Sequence, residues 1–174
     1  MAVYTKINKK DISYINKKFE IEKIISFKGI KQGIENTNYL LRSKSKKFIL
    51  TIFEKRVSQN EIPFFMKLMD QLNNSKINCP KPQKNKNGNY LVRIRKKSAC
   101  IVSFLEGKDK KLLNLKNCHE IGKMIAGMHL STKKINLSRK NSMGIKYLNP
   151  LLNLSLIHIS EPTRRRGIGE CRGG

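Results

Sequence analysis

Between residues 61 and 74 the apolar side chains Phe65, Leu68, Met69 and Leu72 fall at i, i+3, i+4 and i+7, which places them on one face of a helix. The same spacing returns over residues 118–130 with Ile121, Met124, Ile125 and Met128, where Gly122 and Gly127 leave room for a close neighbour. A shorter helix is expected over residues 11–20, capped by Asp11. The remaining apolar residues come in runs of strand length. Ile21, Ile24, Ile25 and Phe27 lead into a turn holding Gly29 and Gly33. Residues 38–42 and 48–53 are two strands joined through the polar segment 43–47 as a hairpin. Cys79-Pro80-Lys81-Pro82 breaks the pattern, and Asn87-Gly88 is a hairpin turn between a weak strand and residues 90–95. Residues 99–104 form a further strand, ended by Leu105-Glu106-Gly107, and residues 108–111 are an exposed connection.

Composition narrows the functional classes. Apolar residues make up 39% of the 174 positions, enough for a packed core, and no run has the length of a membrane span. The start lacks the apolar core of a signal peptide. Cys79, Cys100, Cys118 and Cys171 show neither CxxC pairing nor metal-ligand spacing, so a reduced, cytoplasmic protein is expected. No two of the three histidines, His119, His129 and His158, have metal-site spacing. The formal charge of +25 invites anionic partners, and a basic nucleic-acid-binding protein is the alternative it supports. Of the 37 basic residues 28 are lysines scattered through the chain, without an arginine stripe or a series of base-stacking aromatics. Solvated lysine is therefore the preferred reading, with no specific nucleic acid and no membrane as partner.

Residue usage changes near Leu154. The preceding 153 residues carry all 28 lysines and five arginines, whereas the last 21 hold four arginines and no lysine. The stretch LSLIHISEPTR resembles the translation of a sequencing adapter, so residues 154–174 are expected to be a non-native or disordered tail that contributes no core.

Particular segments are more specific. The opening MAVYTKI, then SFKGIKQGIENTNYLL, FILTIFEKR, IPFFMKLMDQL, INCPKP, IVSFLEGK and GKMIAGMHLS, in this order, resemble homoserine kinases of the aminoglycoside-phosphotransferase-like (choline kinase-like) superfamily over roughly residues 1–153. The fold this implies is α+β: a protein-kinase-like small lobe of antiparallel sheet plus helix, and the first helix of a truncated helical large lobe. The expected division is 1–106 for the small lobe and hinge and 107–153 for the start of the large lobe. The implied activity is transfer of the γ-phosphoryl group of ATP, with Mg²⁺, to the side-chain hydroxyl of L-homoserine, a step toward threonine. Another small-molecule kinase of the same fold, acting on an aminoglycoside, choline or a sugar, is the alternative.

The resemblance also assigns residues. Gly29 and Gly33, with Glu35, Asn36 and Asn38, would form the turn over the nucleotide, where backbone N–H groups can approach phosphate. Residues 103–107 would be the hinge that offers backbone groups to adenine, with Phe104 stacking and Glu106 beside it. In the wider fold a phosphate-binding lysine follows an apolar pair in the strand after this turn; here Ile49-Leu50 is followed by Thr51, and Lys55 is the candidate four residues on. Glu61 either pairs with a lysine or favours its helix start. The family's catalytic loop resembles His-x-Asp followed by Asn after four residues. The three aspartates of this chain, Asp11, Asp70 and Asp109, include none two positions after a histidine. Catalytic and metal-binding aspartates are thus expected outside this chain, which should by itself be inactive and expose Ile121, Ile125 and Met128.

Overall fold

The computed structural model describes residues 3–160 except 34, 55–57, 108, 109, 111, 134 and 141–143, and for 153–160 only the helical backbone. The chain divides into two compact units, residues 1–137 and 138–174.

The first unit opens with α1 (Lys9–Lys18). Its cap is Asn8, whose side chain accepts from the Lys10 and Asp11 amides at 3.0 and 3.2 Å, while the Asp11 carboxylate accepts from the Asn8 amide at 2.8 Å. Asp11, expected as the cap, is the reciprocal third residue of a capping box. Lys17 and Lys18 complement the carbonyl end of the helix dipole.

Five strands follow: β1 (Ser26–Gly29), β2 (Thr37–Arg42), β3 (Lys47–Ile52), β4 (Leu91–Ile94) and β5 (Lys97–Ser103). They form one antiparallel sheet in the order β1-β2-β3-β5-β4. The segment 43–47 is the expected hairpin between β2 and β3, closed by the Ser43 amide donating to the Lys46 carbonyl at 2.9 Å. Glu22 holds this hairpin from outside, accepting from the Ser43 and Ser45 hydroxyls at 2.9 and 2.7 Å.

Strand alternation sends Tyr39, Leu41, Phe48, Leu50, Ile52, Ala99 and Ile101 to one face, where Ile12, Ile15 and Phe19 close the main core. The opposite face is covered at one end by α2 (Ile62–Asn74), through Ile62 and Met66 packed on Cys100. α2 buries Ile62, Met66 and Leu72, so the expected stripe is turned: Phe65 is exposed, and Leu68 and Met69 are half-buried. The expected face missed Ile62, the residue just before Pro63 that opens the helix.

Two expectations change at the β4–β5 end. The hairpin closes at Arg95 and Lys96, both left-handed at φ 50° and 64°, inside and just after the run expected as one strand over 90–95. Asn87-Gly88 does turn, with the Asn85 amide donating to the Asn89 carbonyl at 2.8 Å, but its upstream arm reaches only a single bridge, Phe19 to Asn85. The linker 81–83 then runs antiparallel beside the end of β5.

α3 (Leu115–Thr132) is capped by Asn114 and buries none of its side chains. Ile121 and Ile125 are exposed as expected, and Met124 with them, whereas Met128, also expected to be exposed, is half-buried. Gly127 faces Ile77 at ordinary contact distance, whereas nothing lies against Gly122, so only one of the two glycines meets a neighbour. In the second unit α4 (Ile145–Ser160) carries Pro150 within its length.

Candidate functional site

The described residues between β1 and β2, 30–33, 35 and 36, belong to a turn whose base is closed by the Ile30 amide donating to the Asn38 carbonyl at 2.9 Å. Gly33 sits at φ 115°, a backbone conformation that L side chains rarely adopt. Asn36 accepts from the Glu54 amide at 3.3 Å, and Asn38 accepts from the Thr51 hydroxyl at 2.8 Å. Glu35 is exposed, and with Asn36, Thr51, Ser58 and Glu61 it rims an apolar cavity of about 610 Å³ under α2.

Gly29 differs from its expected role. It ends β1 opposite Tyr39 on the α1 face, and a Cβ added there would meet Val3 Cγ2 at 3.0 Å. Its missing side chain makes room for the N-terminal segment, on the face away from Asn38 and Thr51. Lys55 lies outside the described residues.

The residues expected as a hinge gather at the other end of the sheet. The Phe104 amide donates to the Lys47 carbonyl at 3.2 Å, the Lys47 ammonium lies 5.4 Å from the Phe104 ring centre, and it reaches the Glu106 carboxylate at 2.6 Å. Phe104 and Glu106 are thus brought together, but not with Gly33, Glu35, Asn36 and Asn38. The length of β3 between the two groups is about 17 Å at the usual strand rise.

Between them runs a surface that sequence reading passed over. Residues directly opposite across a ladder share a face, so Leu40, Ile49 and Val102 make one row and Asn38, Thr51 and Cys100 the next. Leu40 and Ile49 are half-buried, and Val102, also half-buried, packs against the Ile62, Met66 and Cys100 cluster and lines the cavity under α2. Arg42 and Lys47 pair opposite each other at its hinge end, and Lys28 flanks Leu40. In the sequence these residues read only as interior strand positions. Cys100 is no nucleophile here, because burial pushes its thiol up to about 12.

Behind the turn, on the α1 face, lies a cluster that sequence reading also missed. The Glu54 carboxylate pairs with the Lys97 ammonium and accepts from the Thr5 and Thr37 hydroxyls at 2.7 and 2.8 Å. The Thr37 hydroxyl in turn accepts from the Tyr4 and Thr5 amides at 3.0 and 3.1 Å. Burial raises the Glu54 carboxyl, but the hydrogen bonds from Lys97, Thr5 and Thr37 outweigh it and hold the group below its ordinary range.

The described carboxylates do not make a metal site on the open face. Asp11 is held by Arg95 at 2.9 Å, and Asp70 accepts from the Tyr90 hydroxyl at 2.7 Å. Among the described residues no cluster of His, Cys, Asp or Glu could hold a metal ion. None of the described helices is long and apolar enough to cross a membrane.

Comparison with known proteins adds the family. Residues 26–164 match the profile of the phosphotransferase enzyme family. The homoserine kinase of Parvibaculum lavamentivorans is 36% identical over 153 residues, 88% of this chain and 48% of the relative. That of Brucella anthropi is 37% identical over 155 residues, 89% and 48%. The chain therefore spans about half the length of the curated relatives it matches. Among solved structures, a spectinomycin phosphotransferase in complex with ADP and spectinomycin superposes with a TM-score of 0.63 at 13% identity, over 87% of this chain and 47% of that one. A microcompartment-associated aminopropanol kinase gives 0.61 at 14%, over 79% and 45%. The five-stranded sheet with its helices is accordingly a protein-kinase-like small lobe, as expected from the sequence.

Proposed function

Because the chain belongs to the phosphotransferase enzyme family, we propose that it is the nucleotide-holding part of a kinase that transfers the γ-phosphoryl group of ATP to the side-chain hydroxyl of L-homoserine. The observation that carries the nucleotide half is the half-buried apolar row Leu40-Ile49-Val102, with Val102 lining the cavity under α2, between the turn after β1 and the expected hinge at Phe104. An apolar strip suits a purine face, and hinge backbone groups suit its edge. The turn, with Gly33 freeing the backbone, suits phosphate, and about 17 Å of strand matches an extended nucleoside triphosphate. Arg42, Lys47 and Lys28 give this face a positive flank. The acceptor half rests on the likeness to homoserine kinases, 36% and 37% identical over nearly all of this chain.

The chain's own residues bind and orient; they do not complete the chemistry. Phosphoryl transfer needs an aspartate beside the acceptor hydroxyl and ligands for Mg²⁺, which when bound neutralises charge on the phosphates. Asp11 and Asp70 are engaged with Arg95 and Tyr90, so neither fits that duty, and Asp109 lies outside the described residues. This chain thus binds the nucleotide, and transfer falls to a protein that also carries the other half of the relatives' length.

A fluorescent ADP analogue titrated into the 174-residue chain tests the first half. Saturable binding displaced by ATP, and lost in Ile49→Lys with folding retained, is expected. No displaceable binding, or unchanged affinity in Ile49→Lys, removes the assignment. Release of ADP by a full-length protein on adding L-homoserine, set against choline and an aminoglycoside, decides the acceptor.

A further inference from the structure

The turn at residues 30–36 is held from behind by the chain's own N-terminal segment. Val3 fills the space left by Gly29 at the turn's start. Tyr4 and Thr5 donate their amides to Thr37 at its end, at 3.0 and 3.1 Å. The Tyr39 hydroxyl donates to the Thr5 carbonyl at 3.0 Å and accepts from the Ile7 amide at 3.3 Å. Glu54 joins the segment to the sheet: its carboxylate takes Thr5, Thr37 and Lys97, while its backbone amide donates to Asn36 within the turn. Lys97 donates as well to the Thr5 hydroxyl, at 2.8 Å. One ion pair on the closed face thus fixes both ends of a turn whose inner residues rim the open face.

We propose that residues 3–5 with Thr37, Glu54 and Lys97 form a strap that sets the conformation of the 30–36 turn, making Lys97 and Glu54 positioning residues for the nucleotide phosphates. The positioning role rests on the proposed nucleotide reading; the strap itself does not. Lys97 and Glu54 sit on the face opposite Asn38 and Thr51, so they act through the turn rather than on a ligand. The Ile30 and Glu54 amides report the turn, because one donates to Asn38 and the other to Asn36 across its base. The Leu50 and Ile101 backbones, paired in mid-sheet, report the fold.

Amide hydrogen exchange in the 174-residue chain separates the two. In Lys97→Met the Ile30 and Glu54 amides are expected to exchange about tenfold faster while mid-sheet amides change less than about twofold, since opening is local. Lys97→Arg, which keeps a charged donor, restores most of the protection. Titration with the fluorescent ADP analogue should then show about tenfold weaker binding in Lys97→Met, recovered in Lys97→Arg. Equal acceleration at both sets of amides overturns the strap, since Lys97 would then serve the fold at large. Unchanged exchange at Ile30 and Glu54 overturns it too. A wild-type chain that binds no analogue but shows the exchange contrast removes the nucleotide reading and upholds the strap.

Discussion

Replacing Lys96 by glycine should stabilise the protein. Lys96 is the second residue of the two-residue turn between β4 and β5 and sits at φ 64°, where its Cβ crowds the backbone at a cost of about 1–2 kcal/mol. Glycine removes that strain, and its freer unfolded chain gives back about 0.5–1 kcal/mol. The net gain is about 0.5–1 kcal/mol, or about 2–4 °C in Tm for a unit of this size. Among the described residues no hydrogen bond or ion pair of the Lys96 side chain stands against the exchange. Arg95, its partner in the turn, is the contrast: at φ 50° it gains the same relief, but its guanidinium donates to Asp11 at 2.9 and 3.2 Å and ties the hairpin to α1. Arg95→Gly should therefore show less gain than Lys96→Gly, and Lys96→Ala, which keeps a Cβ, should show none. Urea unfolding followed by far-ultraviolet circular dichroism gives all three numbers. A Lys96→Gly protein no more stable than Lys96→Ala would refute the reasoning, since backbone strain would then not be what the substitution relieves.

Ile15 is fully buried between α1 and the sheet, so Ile15→Ala should cost about 2–5 kcal/mol in the same unfolding experiment, and a loss under about 1 kcal/mol would mean that α1 is not docked as described. The Lys47–Glu106 pair is largely exposed, at 42% and 73% of its side-chain surfaces, so Glu106→Ala should change stability by no more than about 0.5 kcal/mol; a larger loss would show the hinge to be held by that pair. Glu54 is lowered from its ordinary 4.5, as burial raises it and hydrogen bonds from Lys97, Thr5 and Thr37 lower it further. A carboxyl that is lower when folded adds stability above its unfolded value and loses it as pH falls through the folded one, so stability should be level near neutrality and decline below about 4.5. Glu54→Gln should flatten that decline, and an identical acid profile in the variant would show that Glu54 does not contribute.

The alternation and helical periodicity were enough to locate the sheet, both main helices and the β2–β3 hairpin, because each signal lies within a few neighbouring residues. What escaped was settled at longer range. The capping box at Asn8 uses asparagine and aspartate where serine and glutamate are the commoner pair, so Asp11 looked like the cap. The turn at Arg95-Lys96 carries no glycine or asparagine, and a run of alternating apolar residues hid the break; it forms because β5 must double back to place Ala99 and Ile101 in the core. α2 turned its stripe because Cys100 and Val102, residues far along the chain, decide which helical face is covered.

The candidate site divides in the same way. Gly33, Asn36, Asn38, Phe104 and Glu106 were expected from the family resemblance, and the fold puts the first three at one end of β3 and the last two at the other. Leu40, Ile49 and Val102 were not, since an apolar residue in a strand gives no sign of whether a helix will cover it. Val102 packs toward α2, whereas Leu40 and Ile49 in the same row stay half-buried, a division that no motif signals. Glu54 and Lys97 were hidden for a related reason: 43 residues part them, and neither lies in a pattern that signals pairing. Charge alone would have been a poor guide, because 37 lysines and arginines face only 12 acidic residues, and few of the cations can find a partner. A lysine that instead reaches a half-buried carboxylate, with two threonines completing its shell, is set apart from that solvated majority by geometry that only the folded chain supplies.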